Sequence, residues 1–159
     1  MHSRIFQIGT QPIPAGERLT ESYMEYDSYL PFDYVANDKD RLSSIEWLGK
    51  LDGLVSDPSK GTVTLVSKKA FFAQYFDQWK KEVAALSQTT FDDFISSKCD
   101  FKLSGALFNL NEAYSSKGGF YVLDDLDGYD NLDSLQNFVR NKWEEGTTLY
   151  IGGTLDYHI

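Results

Sequence analysis

Residues 120–151, FYVLDDLDGYDNLDSLQNFVRNKWEEGTTLYI, carry the clearest structural pattern in the chain. Phe120 to Leu123 is a short β-rich run, Leu132 to Trp143 repeats apolar side chains at helical spacing, and Thr147 to Ile151 is β-rich again. A helix of that length can carry the chain back across a sheet, so we expect a right-handed βαβ unit near the C-terminal end.

Further strand patterns occur near the N-terminus and in the middle of the chain. Arg4 to Ile8 places Arg4, Phe6 and Ile8 on one face of a strand, as the two-residue period of a strand requires. The turn sequence at residues 57–61 predicts a hairpin between Leu54-Val55 and a strand over 62–66. We expect the first and last strands to share one sheet, with the last strand continuing beyond Gly152-Gly153.

The remaining apolar residues recur at helical spacing in four further segments. They predict helices over residues 39–52, 68–86, 91–97 and about 103–118. Ser67 and Thr90 are placed to cap the second and third of these helices, and Asp93 completes a capping pair with Thr90. Trp79 and Trp143 lie on apolar stripes, so we expect both indoles in the core.

These elements predict an α+β fold in a single compact domain that spans residues 1–159. We expect a small mixed β-sheet of about four or five strands covered by about five or six helices, with the βαβ unit at its C-terminal end. The chain is 42% hydrophobic and 15% aromatic, which is enough to build a core in a domain of this length without a disulfide or a metal ion.

Charge is unevenly distributed along the chain, whose formal net charge is −9. Residues 1–60 carry ten acids and six bases, residues 61–118 six acids and seven bases, and residues 119–159 eight acids and two bases. The three segments therefore have net charges of −4, +1 and −6. Because a basic footprint is missing, we expect no direct nucleic-acid partner and no attraction to anionic membranes.

The cellular location is predicted from three further features. Cys99 is the one cysteine, so the chain cannot form an internal disulfide. Met1 to Thr10 lacks the basic and apolar runs of a secretory signal, and no apolar stretch approaches the roughly 18 residues that cross a bilayer. We therefore expect a cytoplasmic protein.

Two acid-rich segments form the candidate binding site. In residues 21–33, carboxylates alternate with aromatic rings, a combination that suits a basic, partly apolar partner surface. Residues 124–133 contain five carboxylates and no base. The predicted acidic-aromatic patch consists of Glu21, Tyr23, Glu25, Tyr26, Asp27, Asp124, Asp125, Asp127 and Asp130. The alternation in the first segment also fits an amphipathic element whose rings face the core.

A calcium loop is the alternative interpretation of residues 124–133, because hard cations need several oxygen ligands from one short segment. Aligned on the glycine of an EF-hand, Asp125 and Asp127 occupy two ligand positions. Leu123 and Ser134 then fall where an acid and a bidentate glutamate are required. The segment fits an acidic turn before a helix better, and we expect no metal or other cofactor.

Function is predicted only as a class, because no catalytic motif is present. The leading hypothesis is a non-enzymatic acidic protein that engages a basic surface of a protein partner, as an inhibitor, an immunity protein or a partial nucleic-acid mimic. The alternative is a small intracellular enzyme that uses carboxylates, or Cys99 as nucleophile with His158 as base and Asp156 as orienter. Neither Gly118-Gly119 nor Gly152-Gly153 matches a phosphate-binding loop, and no pair of cysteines or histidines has zinc-site spacing.

Overall fold

The computed structural model describes residues 2–20, 22, 34–37, 41–96, 100–115, 120–124 and 132–158. Within these ranges the strands are β1 His2–Gly9, β2 Tyr34–Asn37, β3 Leu54–Asp57, β4 Thr62–Leu65, β5 Phe120–Asp124, β6 Leu132–Ser134 and β7 Thr148–His158. The α-helices are α1 Arg41–Leu48, α2 Lys68–Ser87, α3 Phe91–Ile95, α4 Asp100–Ser115 and α5 Leu135–Asn141, and a 3₁₀ turn occupies Ala15–Glu17.

All seven strands belong to one mixed sheet whose central member is β7. The strand order is β3-β4-β7-β1-β5-β6, and β2 pairs with β7 beyond the end of β4. Only the β1–β5 pair is parallel among these strands. The predicted α+β class, the hairpin of β3 with β4 and the placement of the first and last strands in one sheet are therefore confirmed, and the structure adds that β1 and β7 are direct neighbours.

A βαβ arrangement forms at the C-terminal end, but its first strand differs from the prediction. Residues 132–134 form β6, the antiparallel partner of β5, and Ser134 then caps α5 by accepting a hydrogen bond from the Asn137 amide. Strand β1 is parallel to β5 and antiparallel to β7, so β5 runs opposite to β7. Because β6 is antiparallel to β5, β6 runs in the same direction as β7 and is the first strand of the βαβ arrangement. The sequence pattern merged β6 with the helix, because a three-residue strand shows no alternation of its own.

The core lies between one face of the sheet and three helices. Phe6 and Ile8 of β1 pack in a buried cluster with Ile45 of α1 and Phe138 of α5. Trp143, which follows α5, is 3% exposed and donates its indole N–H to the Thr147 carbonyl at 3.0 Å. Its predicted place in the core is confirmed. Trp79 is only partly buried and lies outside this cluster, so the prediction that it is a core residue is wrong.

Strand β7 contains a β-bulge opposite β1, and the loop that follows β1 packs against it. Gly152 and Gly153 both lie opposite the single residue Gln7. The buried Gln7 side chain accepts hydrogen bonds from the amides of Gly153 (2.9 Å) and Leu19 (2.7 Å), and donates to the Glu17 carbonyl (3.0 Å). A Cβ atom at Gly153 would overlap the Leu19 backbone, so the close approach of this loop requires glycine.

The other edge of β7 is completed by an arginine. Between the segments paired with β4 and β2, the carbonyls of Ile151 and Gly152 accept hydrogen bonds from the Arg41 guanidinium at the start of α1. Burial, together with the nearby Arg18, lowers the pKa of Arg41. Arg41 thereby satisfies two carbonyls that would otherwise face a gap in the sheet.

We predict that Gln7→Ala destabilises the protein by about 3 kcal/mol, because it leaves the Gly153 and Leu19 amides buried without an acceptor. The free energy of unfolding from urea titration measures the loss. The matched control is Gln78→Ala on the exposed side of α2, which should change stability by no more than about 0.5 kcal/mol. Equal effects of the two substitutions would contradict the role given to Gln7.

Candidate binding site on the helical layer

Most of the predicted acidic-aromatic patch lies outside the described residues. Glu21, Tyr23, Glu25, Tyr26, Asp27, Asp125, Asp127 and Asp130 all belong to that remainder, as does Cys99. Asp124 is the last residue of β5 and is aligned with Ile8 of β1. His158 and Asp156 are aligned on β7 with Tyr34 and Ala36 of β2. The patch and the proposed catalytic trio thus stay predictions.

The sheet fixes where the two acid-rich segments attach. The first leads into β2 at Tyr34, which is aligned with His158 and, through it, with His2 of β1. The second leaves β5 at Asp124, which is aligned with Ile8. The two attachment points are therefore aligned with residues of β1 that are six positions apart, which corresponds to about 20 Å along the strand direction.

The helical layer contains a long antiparallel pair, α2 and α4, that is only lightly attached to the core. Ser67 caps α2 through a hydrogen bond from the Ala70 amide at 3.2 Å, as predicted. Over its 20 residues α2 buries only Phe71, and the described side chains of α4 bury only Ala113. At about 30 Å, α2 is much longer than α1 or α5 and extends beyond the core that they cover.

An aromatic groove of about 310 Å³ opens between α2, α4 and α5. The residues that line it are Phe72, Tyr75, Phe76, Trp79, Ala113, Tyr114 and Arg140. The rings of Phe76 and Trp79 stack with centroids 6.1 Å apart and planes 10° from parallel. Phe72 packs edge-on against the buried Phe71 at 5.1 Å, which ties this wall of the groove to the core. The groove therefore has preformed aromatic walls.

Arg140 of α5 provides the positive charge of the aromatic groove. Its guanidinium carbon lies 5.0 Å from the ring centroid of Phe72 and 4.4 Å from that of Tyr114, both within cation–π range. One N–H of Nη1 is donated to Asn137 Oδ1 at 2.9 Å, and one of Nη2 to the Tyr114 carbonyl at 2.6 Å. These contacts fix the guanidinium and join the end of α4 to α5.

A second feature is a set of large apolar side chains that are exposed on α3 and α4, here called together the α3–α4 apolar surface. Its members are Phe91, Phe94, Ile95, Phe101, Leu107 and Phe108. Phe101 is 91% exposed, Phe91 75% and Phe94 73%, values that are unusual for side chains of this size. The predicted Thr90–Asp93 capping box holds α3 in place, with both reciprocal hydrogen bonds present at 3.1 Å.

Sequence reasoning missed both features for an identifiable reason. Phe72, Phe76 and Trp79 lie on one stripe of α2, and such a stripe normally faces a core. The useful signal is the length of that stripe, which exceeds what the short neighbouring helices can cover. Arg140 gave no sequence signal, because its partners on α2 and α4 are distant in the chain.

The comparisons supply no relative for this chain: no protein-family model, no curated protein and no solved structure matches it. Across the described ranges, no three histidine, cysteine, aspartate or glutamate residues cluster closely enough to hold a metal ion. None of the helices in the described part of the chain combines the length and apolar character that a membrane crossing requires.

We predict that Tyr75 makes stability fall at alkaline pH. Burial raises the pKa of its phenol, although a hydrogen bond with Gln136 acts in the opposite direction. Because the unfolded chain ionises first, near pH 10, stability decreases as the pH rises through that value and is unaffected at neutral pH. In urea titrations between about pH 8 and 11, Tyr75→Phe should show a smaller alkaline loss than the wild type. Identical pH dependences would contradict the assignment.

Proposed function

We propose that this protein is a non-enzymatic acidic binding protein. Its protein partner presents a basic surface with an apolar centre. Inhibitors and immunity proteins work in this way. The observation that carries the proposal is the α3–α4 apolar surface, where Phe101 is 91% exposed. Large exposed rings are costly for solubility, and clusters of them mark interaction sites. Aromatic side chains, phenylalanine among them, are also enriched at the centres of protein interfaces.

The distribution of charge supports a partner of opposite sign. Residues 61–118, which include α2, α3 and α4, carry a net charge of +1, whereas the flanking segments carry −4 and −6. Interface centres are depleted of charge, and the surrounding field steers the encounter. Because a second copy of this chain would also carry −9, charge repulsion disfavours self-association through this surface.

Acids next to the exposed rings define the rim that the partner must match. Asp92 and Asp93 lie between Phe91 and Phe94 on α3. A partner with an apolar patch bordered by lysine or arginine would pair with both features. Rim charges of this kind raise the association rate more than they raise affinity.

We predict that the double variant Phe94→Ser, Phe101→Ser loses partner binding while keeping its fold. Each truncation removes an exposed anchor, so together they should weaken binding by about 2 kcal/mol or more, a roughly 30-fold loss. The experiment immobilises the wild type, captures its ligand from the native cell and measures affinity for the purified ligand.

The matched control is Val55→Ser with Val66→Ser, which replaces two similarly exposed apolar side chains on β3 and after β4. This variant should bind as the wild type does. An acidic partner, or a partner that binds the two double variants equally well, would refute the proposal.

We also predict that substituting Asp124, Asp125 and Asp127 by asparagine slows association without a comparable change in dissociation. Raising the salt from about 0.1 M to 1 M shortens the Debye length from about 10 Å to 3 Å and should slow association in the same way. Stopped-flow or surface plasmon resonance rates provide the measurement. An association rate that responds neither to the three substitutions nor to salt would contradict the proposal that acidic residues steer the partner.

A further inference from the structure

The aromatic groove contains a cation that no acid neutralises among the described residues. The Arg140 guanidinium contacts two rings, the Asn137 amide oxygen and the Tyr114 carbonyl, and none of these groups is a carboxylate. Its Nε–H and one hydrogen on each Nη have no acceptor in the described part of the chain.

The rest of the groove is apolar and flat-walled. Phe76 and Trp79 present nearly parallel rings along one side, and Tyr75 contributes its partly buried ring. The nearest lysine on this stretch of α2, Lys80, lies over the Phe76 ring and already pairs with Asp77 at 3.3 Å. The site thus combines stacking surfaces with a guanidinium that is held by four contacts and meets no carboxylate within the described ranges.

We propose that the aromatic groove binds a small organic anion that carries a carboxylate on a planar aromatic group. The ring of the ligand stacks against Phe76 and Trp79, and its carboxylate accepts hydrogen bonds from the unused N–H groups of Arg140. Guanidinium–carboxylate pairs are charge-assisted and directional, and they strengthen when neighbouring rings exclude water. This site is separate from the α3–α4 apolar surface and does not depend on the proposed protein partner.

The volume of the groove favours a small molecule over a peptide segment as its ligand. About 310 Å³ lies at the lower limit of small-molecule sites, which suits one ring with a short acid chain better than a folded peptide segment. Complementary charge excludes cationic ligands, since Arg140 would repel them. A neutral aromatic ligand would fill the groove but leave the guanidinium without its anion.

The test compares 3-phenylpropionate with its neutral analogue 3-phenylpropionamide by calorimetry on the wild-type protein. The acid should bind about tenfold more tightly than the amide, or better, and this preference should shrink at high salt. In NMR spectra the indole N–H of Trp79 should shift on titration, while that of the buried Trp143 should not.

Arg140→Gln should abolish the preference for the acid, whereas Lys81→Gln, an equal change of charge on exposed α2, should preserve it. If Arg140→Gln fails to fold, Phe76→Ala takes its place and should weaken acid and amide alike, because it removes a stacking wall. Equal binding of acid and amide, no binding at about 1 mM, or shifts confined to other parts of the chain would overturn the proposal. Binding of a peptide ending in phenylalanine, without binding of the free acid, would also overturn it.

Discussion

The amide group of Gln7 lies between the central strands and the loop that covers them. Its oxygen accepts hydrogen bonds from the backbone amides of Gly153 and Leu19, and its nitrogen donates one to the Glu17 carbonyl. One side chain thus satisfies backbone groups from two separate segments. Buried backbone groups that lack partners cost free energy, and no other side chain of the described residues is shown to serve these two amides. Position 153 of the bulge requires glycine because the loop approaches too closely for a Cβ atom.

This constraint sets the position of everything that packs on β7. The bulge shifts the register of β7 against β1 by one residue, and Arg41 closes the opposite edge by binding the Ile151 and Gly152 carbonyls. Because β7 is hydrogen-bonded along both edges at this point, the strands against which α1 and α5 pack are fixed in position. In contrast, α2 touches the buried cluster mainly near its first turns, through Phe71, Phe72 and Tyr75, and the rest of the helix lies outside that cluster.

Local features of the fold were predictable, because they depend on neighbouring residues in the chain. The Ser67 cap, the Thr90–Asp93 capping box and the hairpin of β3 and β4 all follow from short-range hydrogen bonding. The strand order, β2 and the Arg140 site were not predictable, since each joins residues far apart in sequence. Trp79 illustrates the limit: its apolar stripe is real, but only packing reveals that the stripe borders a groove.

The bulge at Gln7 is a rigid junction of the central sheet, in which one side chain accepts the hydrogen bonds of two backbone amides. Amide hydrogen exchange followed by NMR tests it most directly, because Gly153 and Leu19 both donate to the same oxygen. We expect these two amides to exchange at nearly the same slow rate, set by global unfolding, although Leu19 lies in a loop. Exchange of the Leu19 amide as fast as that of exposed Gly16 in the same loop would contradict it.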